Sequence, residues 1–252
     1  MSKILYANGC SWTYGNGINK DPILKHHSRK LTDQIHFAWP AKLARLLKYT
    51  CLNDSLGGGS NARIVRTTCD YLMKQDPEQL SNLLVVIGWT TPCRNEVYVN
   101  ADENTTGWYR FNVSQKFSEH QSNSQASTGI LQDLDKFHET YVANMYDEQI
   151  AIMYCLQQKF LLSNTLDNLG VKYLFFDSLS TMWHPTNEEP HTFTINKIRT
   201  NKMLTNPTFS NFMNENKIPL SSCLHPMIQG HSEWAKYLYG KLIEIYGDEV
   251  HG

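Results

Sequence analysis

The stretch Ile4-Leu5-Tyr6-Ala7-Asn8-Gly9-Cys10-Ser11-Trp12-Thr13-Tyr14-Gly15 places a short apolar run directly before a glycine and a serine. An apolar run that ends at Asn-Gly is typical of a buried strand stopping at a sharp turn. In an open α/β sheet, the carboxyl end of such a strand faces the ligand crevice. Ser11 is therefore the candidate nucleophile. A serine after a strand is more often a helix N-cap, and this alternative stays open.

A His-Pro pair near the other end of the chain supplies a candidate base. Residues 223–235 read CLHPMIQGHSEWA and place His225 in a loop just before a final amphipathic helix. Pro226 holds the preceding residue extended and off that helix. A neutral imidazole on such a loop can take a proton from a serine hydroxyl. We interpret His231, farther along, as a first-turn or helix-packing residue.

Two further stretches lie between these ends. Gly57-Gly58-Gly59-Ser60-Asn61 precedes a helical pattern, and such a loop leaves backbone N–H groups free to bind a negative oxygen. The alternative is that the glycines only make a tight turn, with Ser60 as the helix N-cap. Leu83-Leu84-Val85-Val86-Ile87-Gly88 is a continuous apolar run, typical of a central strand buried on both faces. It ends at Trp89-Thr90-Thr91.

In their order along the chain, these four stretches resemble the SGNH, or GDSL, hydrolase family. The Gly-Asp-Ser block of that family corresponds to Gly9-Cys10-Ser11, and its oxyanion glycine corresponds to Gly58, or alternatively to Gly59. Its Gly-x-Asn-Asp block corresponds to Gly88-Trp89-Thr90-Thr91. Its Asp-x-x-His-Pro block corresponds to Ser222-Cys223-Leu224-His225-Pro226.

The resemblance implies both a fold and an activity. The expected fold is a three-layer α/β/α sandwich with a flavodoxin-like, doubly wound, mostly parallel sheet. We expect one such domain over residues 1–252, with an insertion at about 95–135. The implied activity is hydrolysis of an acyl or acetyl ester, of a carbohydrate or a lipid, without a cofactor. The rival hypothesis is a binding or structural module that keeps the fold without turnover, and a virus particle is one setting for such a module.

The resemblance also assigns roles, and one of them falls on a changed residue. Ser11 attacks the carbonyl, His225 shuttles the proton, and the N–H groups of Ser11 and Gly58 hold the oxyanion. The family has an asparagine where this chain has Thr90, whose hydroxyl donates only one hydrogen bond. We therefore expect Thr90 or Asn61 to complete the oxyanion hole.

The acid that orients the histidine is the second departure. The family places an aspartate three residues before the histidine, and this chain has Ser222 there. Three alternatives remain: a Ser11–His225 dyad helped by a backbone carbonyl, a substitute acid, or no catalysis. Asp177 is the candidate acid because it follows the predicted strand at 171–176. A loop carboxylate that caps the next turn is its more common role.

Composition argues against several classes of partner. The 252 residues carry a formal net charge of -1 and no basic run, which gives no reason to expect nucleic acid or a membrane surface. The six cysteines show no metal-type spacing, so we expect reduced thiols and no metal. The first residues contain no long apolar segment, and we expect no signal peptide, no membrane span and a cytoplasmic location. A small or carbohydrate ligand fits best.

The remaining sequence predicts further elements. Tyr98 to Val113 is typical of a hairpin and Ser114 to Thr128 of a loop, within an insertion that is a candidate lid or protein-partner surface. The apolar spacing from Leu134 to Asn168 predicts one long helix or a broken pair. The other predictions are a loop over the site from Asn16 to Ile35 with solvated His26 and His27, a helix from Phe37 to Lys48, a final helix from Ser232 to Tyr246, and a rival His-Pro pair at His184.

Overall fold

A parallel β-sheet forms the centre of the fold. The computed structural model describes residues 3–21, 31–100, 106–119, 128–179 and 202–251. The strands in these residues are β1 Ile4–Gly9, β2 Thr50–Asn53, β3 Leu83–Trp89, β4 Arg94–Val99, β5 Gly107–Asn112, β6 Lys172–Asp177 and β7 Met203–Leu204. The main sheet has the order β2-β1-β3-β6-β7, and every pairing in it is parallel. β4 and β5 form a separate antiparallel hairpin.

Helices cover both faces of this sheet. Those in the described residues are α1 Ser11–Tyr14, α2 Leu31–Phe37, α3 Trp39–Leu47, α4 Asn61–Leu72, α5 Pro77–Ser81, α6 Thr128–Asn144, α7 Glu148–Asn168, α8 Phe209–Glu215 and α9 Ile228–Tyr246. One apolar cluster joins the sheet to α3, α8 and α9, and a second joins it to α4, α5 and α7. The predicted three-layer α/β/α sandwich is therefore confirmed.

The strand β3 shows how the sequence specifies these layers. All seven of its residues are buried. Leu84 and Val86 belong to one apolar cluster, whereas Val85 and Ile87 belong to the other, because successive side chains of a strand point to opposite faces. A strand buried on both faces has to be continuously apolar, as this one is.

The strand order also determines where a ligand crevice can form. From β1 the chain goes to β2 on one side and then crosses to β3 on the other. The order reverses between β1 and β3, and open α/β sheets bind ligands at the carboxyl ends of the strands at such a point. Gly9 of β1 pairs with Gly88 of β3 at this end. Ser11 follows directly after Gly9.

The insertion after β3 has an apolar cluster of its own. The hairpin pairs Arg94 with Asn112 at one end and Val99 with Gly107 at the other, so it begins before the predicted Tyr98. One of its faces contributes to a cluster that is separate from the two layers of the sheet. That cluster consists of Tyr109, Phe111, Phe117 and Leu134, with Val97 and Val99 packed against it.

Several boundaries differ from those predicted. The segment from Leu134 to Asn168 is a broken pair, α6 and α7, and the final helix begins at Ile228, four residues earlier than predicted. The loop predicted up to Ile35 is wrong for its last part, because α2 forms there and Ala38 N donates to Gln34 O at 3.0 Å where it meets α3. The predictions for His26, His27 and His184 lie outside the described residues. No helix in the described ranges has both the length and the hydropathy that crossing a membrane requires.

Candidate active site

Ser11 lies at the turn between β1 and α1. It is the first residue of α1 and is only 4% exposed. Among the residues that the structure describes, none hydrogen-bonds to its Oγ. The turn is tight, because a Cβ added at Gly9 would lie 2.3 Å from Thr13 Oγ1 and 2.7 Å from Gly88 O. Glycine at position 9 therefore lets the two central strands and the serine turn approach one another closely.

The glycine loop lies beside this turn. Leu56 N donates to Gly9 O at 3.2 Å, and a Cβ added at Gly59 would come within 3.3 Å of the same oxygen. Gly58 has a φ of +72°, which favours glycine, and its N–H finds no acceptor within the described part of the chain. Ser60 is the N-cap of α4 and accepts a hydrogen bond from Arg63 N at 3.1 Å. The N-cap role of Ser60 is thus confirmed, and the oxyanion role of Gly58 stays a prediction.

Asn61 and Thr90, the two predicted additional donors, bind each other. Asn61 Nδ2 donates to Thr90 O at 3.0 Å, and Thr90 N donates to Asn61 Oδ1 at 2.9 Å. The second hydrogen of Nδ2 has Cys155 Sγ, at 3.2 Å, as its partner. An amide nitrogen has two hydrogens, so Asn61 has none left for a substrate. Thr90 Oγ1 is buried and has no hydrogen-bond partner in the described part of the chain.

His225 is held in one tautomer by its own loop. Its Nδ1 lies 2.7 Å from Cys223 O, and a carbonyl can only accept, so Nδ1 carries the hydrogen of the neutral ring. Nε2 is then the nitrogen that can accept a proton. Burial lowers the pKa of His225, and the nearby charge of Arg94 lowers it further, while the hydrogen bond to Cys223 opposes both. His225 is therefore a neutral base at physiological pH.

The His225 loop packs on the segment that follows Ser11. A Cβ added at Gly17 would lie 2.7 Å from His225 Cβ, and the ring centroids of Trp12 and His225 are 6.4 Å apart. Ile228 N donates to Asp21 Oδ2 at 3.0 Å, which ties the start of α9 to the same segment. The segment after Ser11 and the loop before α9 therefore meet near the carboxyl end of β1. Ser11 and His225 share no hydrogen bond in the described residues, and catalytic hydrogen bonds are often long before substrate binds.

Asp177, the candidate orienting acid, has a different partner. Its Oδ1 lies 2.6 Å from Lys159 Nζ, and both side chains are largely buried. Burial lowers the pKa of Lys159, but the charge of Asp177 and its hydrogen bond outweigh burial, so the pKa is raised and the lysine is charged. In the described residues no carboxylate contacts His225, and Ser222 is exposed. The carbonyl of Cys223 is the group that orients the histidine.

Sequence reasoning missed Lys159 and Arg94. Lys159 lies in the middle of α7, and nothing in the local pattern indicates that it reaches the end of β6. Arg94 lies four residues after Thr90, which directly follows the end of β3. This position near a predicted site residue could have identified it as a candidate from the sequence. A search for metal sites finds no cluster of three or more His, Cys, Asp or Glu side chains in the described ranges.

Comparison with known proteins supports the fold and places the chain in a family. The crystal structure of TesA has a TM-score of 0.52 and 12% identity, covering 96% of this chain and 99% of that one. At this identity the likeness shows the fold alone.

Two other solved structures resemble the chain more loosely. The psychrotrophic esterase EstA from Pseudoalteromonas sp. has a TM-score of 0.49 and 12% identity, covering 96% of this chain and 98% of that one. The acetyl xylan esterase Est2A from Butyrivibrio proteoclasticus has a TM-score of 0.49 and 8% identity, covering 98% of this chain and 65% of that one. No curated protein matches the sequence. The family model for DUF6071, a family of unknown function, matches residues 16–209, and the chain belongs to that family.

Proposed function

We propose that this protein is a serine-dependent ester hydrolase, a divergent member of the SGNH family, that cleaves an acyl or acetyl ester of a carbohydrate or lipid. The tautomer and the position of His225 are the observations that carry the proposal. A neutral imidazole with Nδ1 fixed on a carbonyl presents a proton-accepting Nε2, and its loop packs beside the Ser11 turn.

In the first step, Ser11 Oγ attacks the ester carbonyl carbon and its proton moves to His225 Nε2. The carbonyl oxygen becomes an oxyanion. The N–H groups of Ser11 and Gly58 are the donors proposed to hold it, because neither has an acceptor within the described residues. The proposed third donor is the hydroxyl of Thr90, which is buried and has no partner in the described ranges.

The second step completes the reaction. The tetrahedral intermediate collapses, the alcohol leaves with the proton from His225, and the acyl group stays on Ser11. Water then attacks the acyl carbon while His225 takes its proton. Collapse of this second intermediate releases the acid and returns the proton to Ser11 Oγ. Every proton in the cycle passes through His225, so an orienting group for the ring is required, and Cys223 O is the one proposed.

Covalent labelling with a fluorophosphonate probe tests the proposal. We expect the wild-type chain to be labelled, and labelling to disappear in Ser11→Ala and His225→Ala. Ser81→Ala is the matched control, since Ser81 is exposed and its Oγ contacts only Glu78 O, at 2.7 Å. Circular dichroism and thermal melting establish that each variant is folded. A folded wild type that resists the probe would refute the proposal.

One observation favours a second candidate, a binding or structural module without turnover. Within the described residues, His225 has no carboxylate partner, and the loss of that acid costs about 10,000-fold in a full triad. On this alternative the insertion at 95–135 is the proposed surface for a protein partner, and a component of a virus particle is one proposed setting. Absence of labelling together with saturable binding of a partner would favour the module over the hydrolase.

A further inference from the structure

One face of the β4–β5 hairpin borders the candidate active site. In the hairpin register, Arg94 lies opposite Asn112, Glu96 opposite Arg110, and Tyr98 opposite Trp108. Residues opposite each other, and those two apart, share a face of an antiparallel pair, so these six side chains lie together. Arg110 Nη1 donates to Gly57 O at 2.5 Å. This face, which we call the arginine face, therefore lies against the glycine loop.

Arg94 differs from the other arginines near this face. Arg63 pairs with Asp54 at 3.3 Å, and Arg66 pairs with Glu96 through both of its carboxylate oxygens. The side chain of Arg94 has no hydrogen bond or ion pair to any residue that the structure describes. Its Nη1 is buried and has no hydrogen-bond partner among those described residues. A guanidinium nitrogen that has lost its water without gaining an acceptor is costly, and an arriving anion removes that cost.

The position of Arg94 places this charge at the site. Its backbone N–H donates to Thr91 O at 3.4 Å, so the turn that begins β4 follows directly from the end of β3, where Thr90 lies. Its charge is close enough to His225 to lower the pKa of the imidazole. The acids nearby are already committed, Glu96 to Arg66 and Asp177 to Lys159. Within the described ranges, no carboxylate pairs with Arg94.

We propose that Arg94 binds a carboxylate of the substrate, so that the preferred substrates are esters with a free carboxylate on either the acid or the alcohol part. The inference rests on the proposed function, since it names a substrate class for the same site. The planar guanidinium fork matches a carboxylate through two parallel hydrogen bonds, a geometry that lysine cannot reproduce.

Kinetics with two matched pairs of esters test the inference. The first pair is 4-acetoxybenzoate and its neutral methyl ester, which differ in the charge of the alcohol part. The second pair is 4-nitrophenyl hydrogen glutarate and its neutral methyl ester, which differ in the charge of the acyl part. We expect kcat/KM of the wild type to favour the charged member of one pair by about 10- to 100-fold, the worth of a hydrogen bond to a charged group.

Variants identify the residue responsible for this ratio. Arg94→Gln should abolish the preference, and Arg94→Lys should keep only part of it. Arg45→Gln is the matched control, because Arg45 donates hydrogen bonds to Ala41 O of α3 and to His36 O of α2. This variant should leave the ratio unchanged. A wild type that cleaves the charged and neutral members of both pairs at equal rates would overturn the inference and leave the hydrolase intact.

Equilibrium binding separates this inference from the proposed activity. Isothermal titration of Ser11→Ala with 4-acetamidobenzoate and with monomethyl glutarate needs no turnover. We expect one of these carboxylates to bind, and to bind about tenfold or more weakly in the Ser11→Ala, Arg94→Gln double variant. Binding that depends on Arg94 in a protein that cleaves no ester would support the inference and refute the hydrolase. Binding that does not depend on Arg94, or no binding of either carboxylate, overturns the inference.

Discussion

The buried pair of Lys159 and Asp177 gives a test that separates a structural carboxylate from a catalytic one. The two atoms lie 2.6 Å apart, and their side chains are 8% and 13% exposed. Removing one partner of such a pair leaves a buried charge without its counter-charge, which lowers the free energy of unfolding by about 3–5 kcal/mol. We therefore expect Lys159→Met and Asp177→Asn each to lose a large part of a total stability of about 5–15 kcal/mol.

Thermal and urea unfolding measure this loss. For a chain of this size about 1 kcal/mol corresponds to roughly 2–4 °C in Tm, so each single variant should melt roughly 6–20 °C lower. The double variant Lys159→Met, Asp177→Leu leaves no unpaired buried charge and should recover most of the lost stability. The rate of fluorophosphonate labelling at a temperature where Asp177→Asn is folded should stay within a few-fold of the wild type.

The opposite pattern would refute this reasoning. If Asp177 orients His225, Asp177→Asn should slow labelling by about 10,000-fold, as in a full triad, whereas Lys159→Met should leave the carboxylate free to act. A stable Asp177→Asn variant with such a loss of labelling would show that the contact with Lys159 does not define the role of the acid. Lys236→Met is the control for removal of a lysine, since Lys236 forms an exposed ion pair on α9.

Three further predictions concern single side chains. Labelling should need neutral His225, whose pKa is lowered, so the labelling rate should fall only below the ordinary histidine pKa of about 6.5. Arg94→Gln removes a nearby positive charge and should therefore shift this fall of the rate to higher pH. His231 is buried with a pKa lowered to about 3, so the unfolded state binds the proton first and the free energy of unfolding should fall by about 1.4 kcal/mol per pH unit as pH drops from about 6 to 4. His231→Asn, which keeps an acceptor for Trp39 N, should flatten that slope in urea titrations at several pH values. Thr90→Val removes a buried hydroxyl that has no partner among the described residues, so Tm should hold or rise while labelling slows by about 100-fold. Unchanged labelling would remove Thr90 from the oxyanion hole.

Local sequence patterns predicted β1, β3 and β6 of the main sheet, whereas β7, with only two residues, was missed. The continuous apolar run of β3 identified the central strand, and the serine turn after β1 lies where the strand order reverses. Alternation predicted the hairpin, and helical spacing predicted either one long helix or a broken pair, of which the structure has the pair. α2 was missed because its seven residues are held between neighbouring elements and carry no strong periodic pattern.

The site was harder to predict because its partners come from distant parts of the chain. Asn61 was expected to face a substrate, but its amide matches the backbone of Thr90, 29 residues away, and no local pattern encodes that pairing. Asp177 meets Lys159 only because α7 packs beside β6. The carbonyl of Cys223 that orients His225 belongs to the backbone, so the residue type at this position does not indicate its role. Its role was nevertheless among the alternatives that the missing aspartate left open.

The apolar cluster of the insertion separates the packing of the hairpin from the packing of the sheet. Tyr109 and Phe111 pack within that cluster, while the arginine face on the other side of the same strands meets the glycine loop. The side chains of the arginine face lie outside both apolar clusters of the sheet, and Glu96 joins this face to α4 through its ion pair with Arg66. A substitution of Arg94 therefore changes the charge of the face without removing a side chain from either apolar cluster. On the proposed function, substrate preference can change at this face while the packing of the sheet is kept.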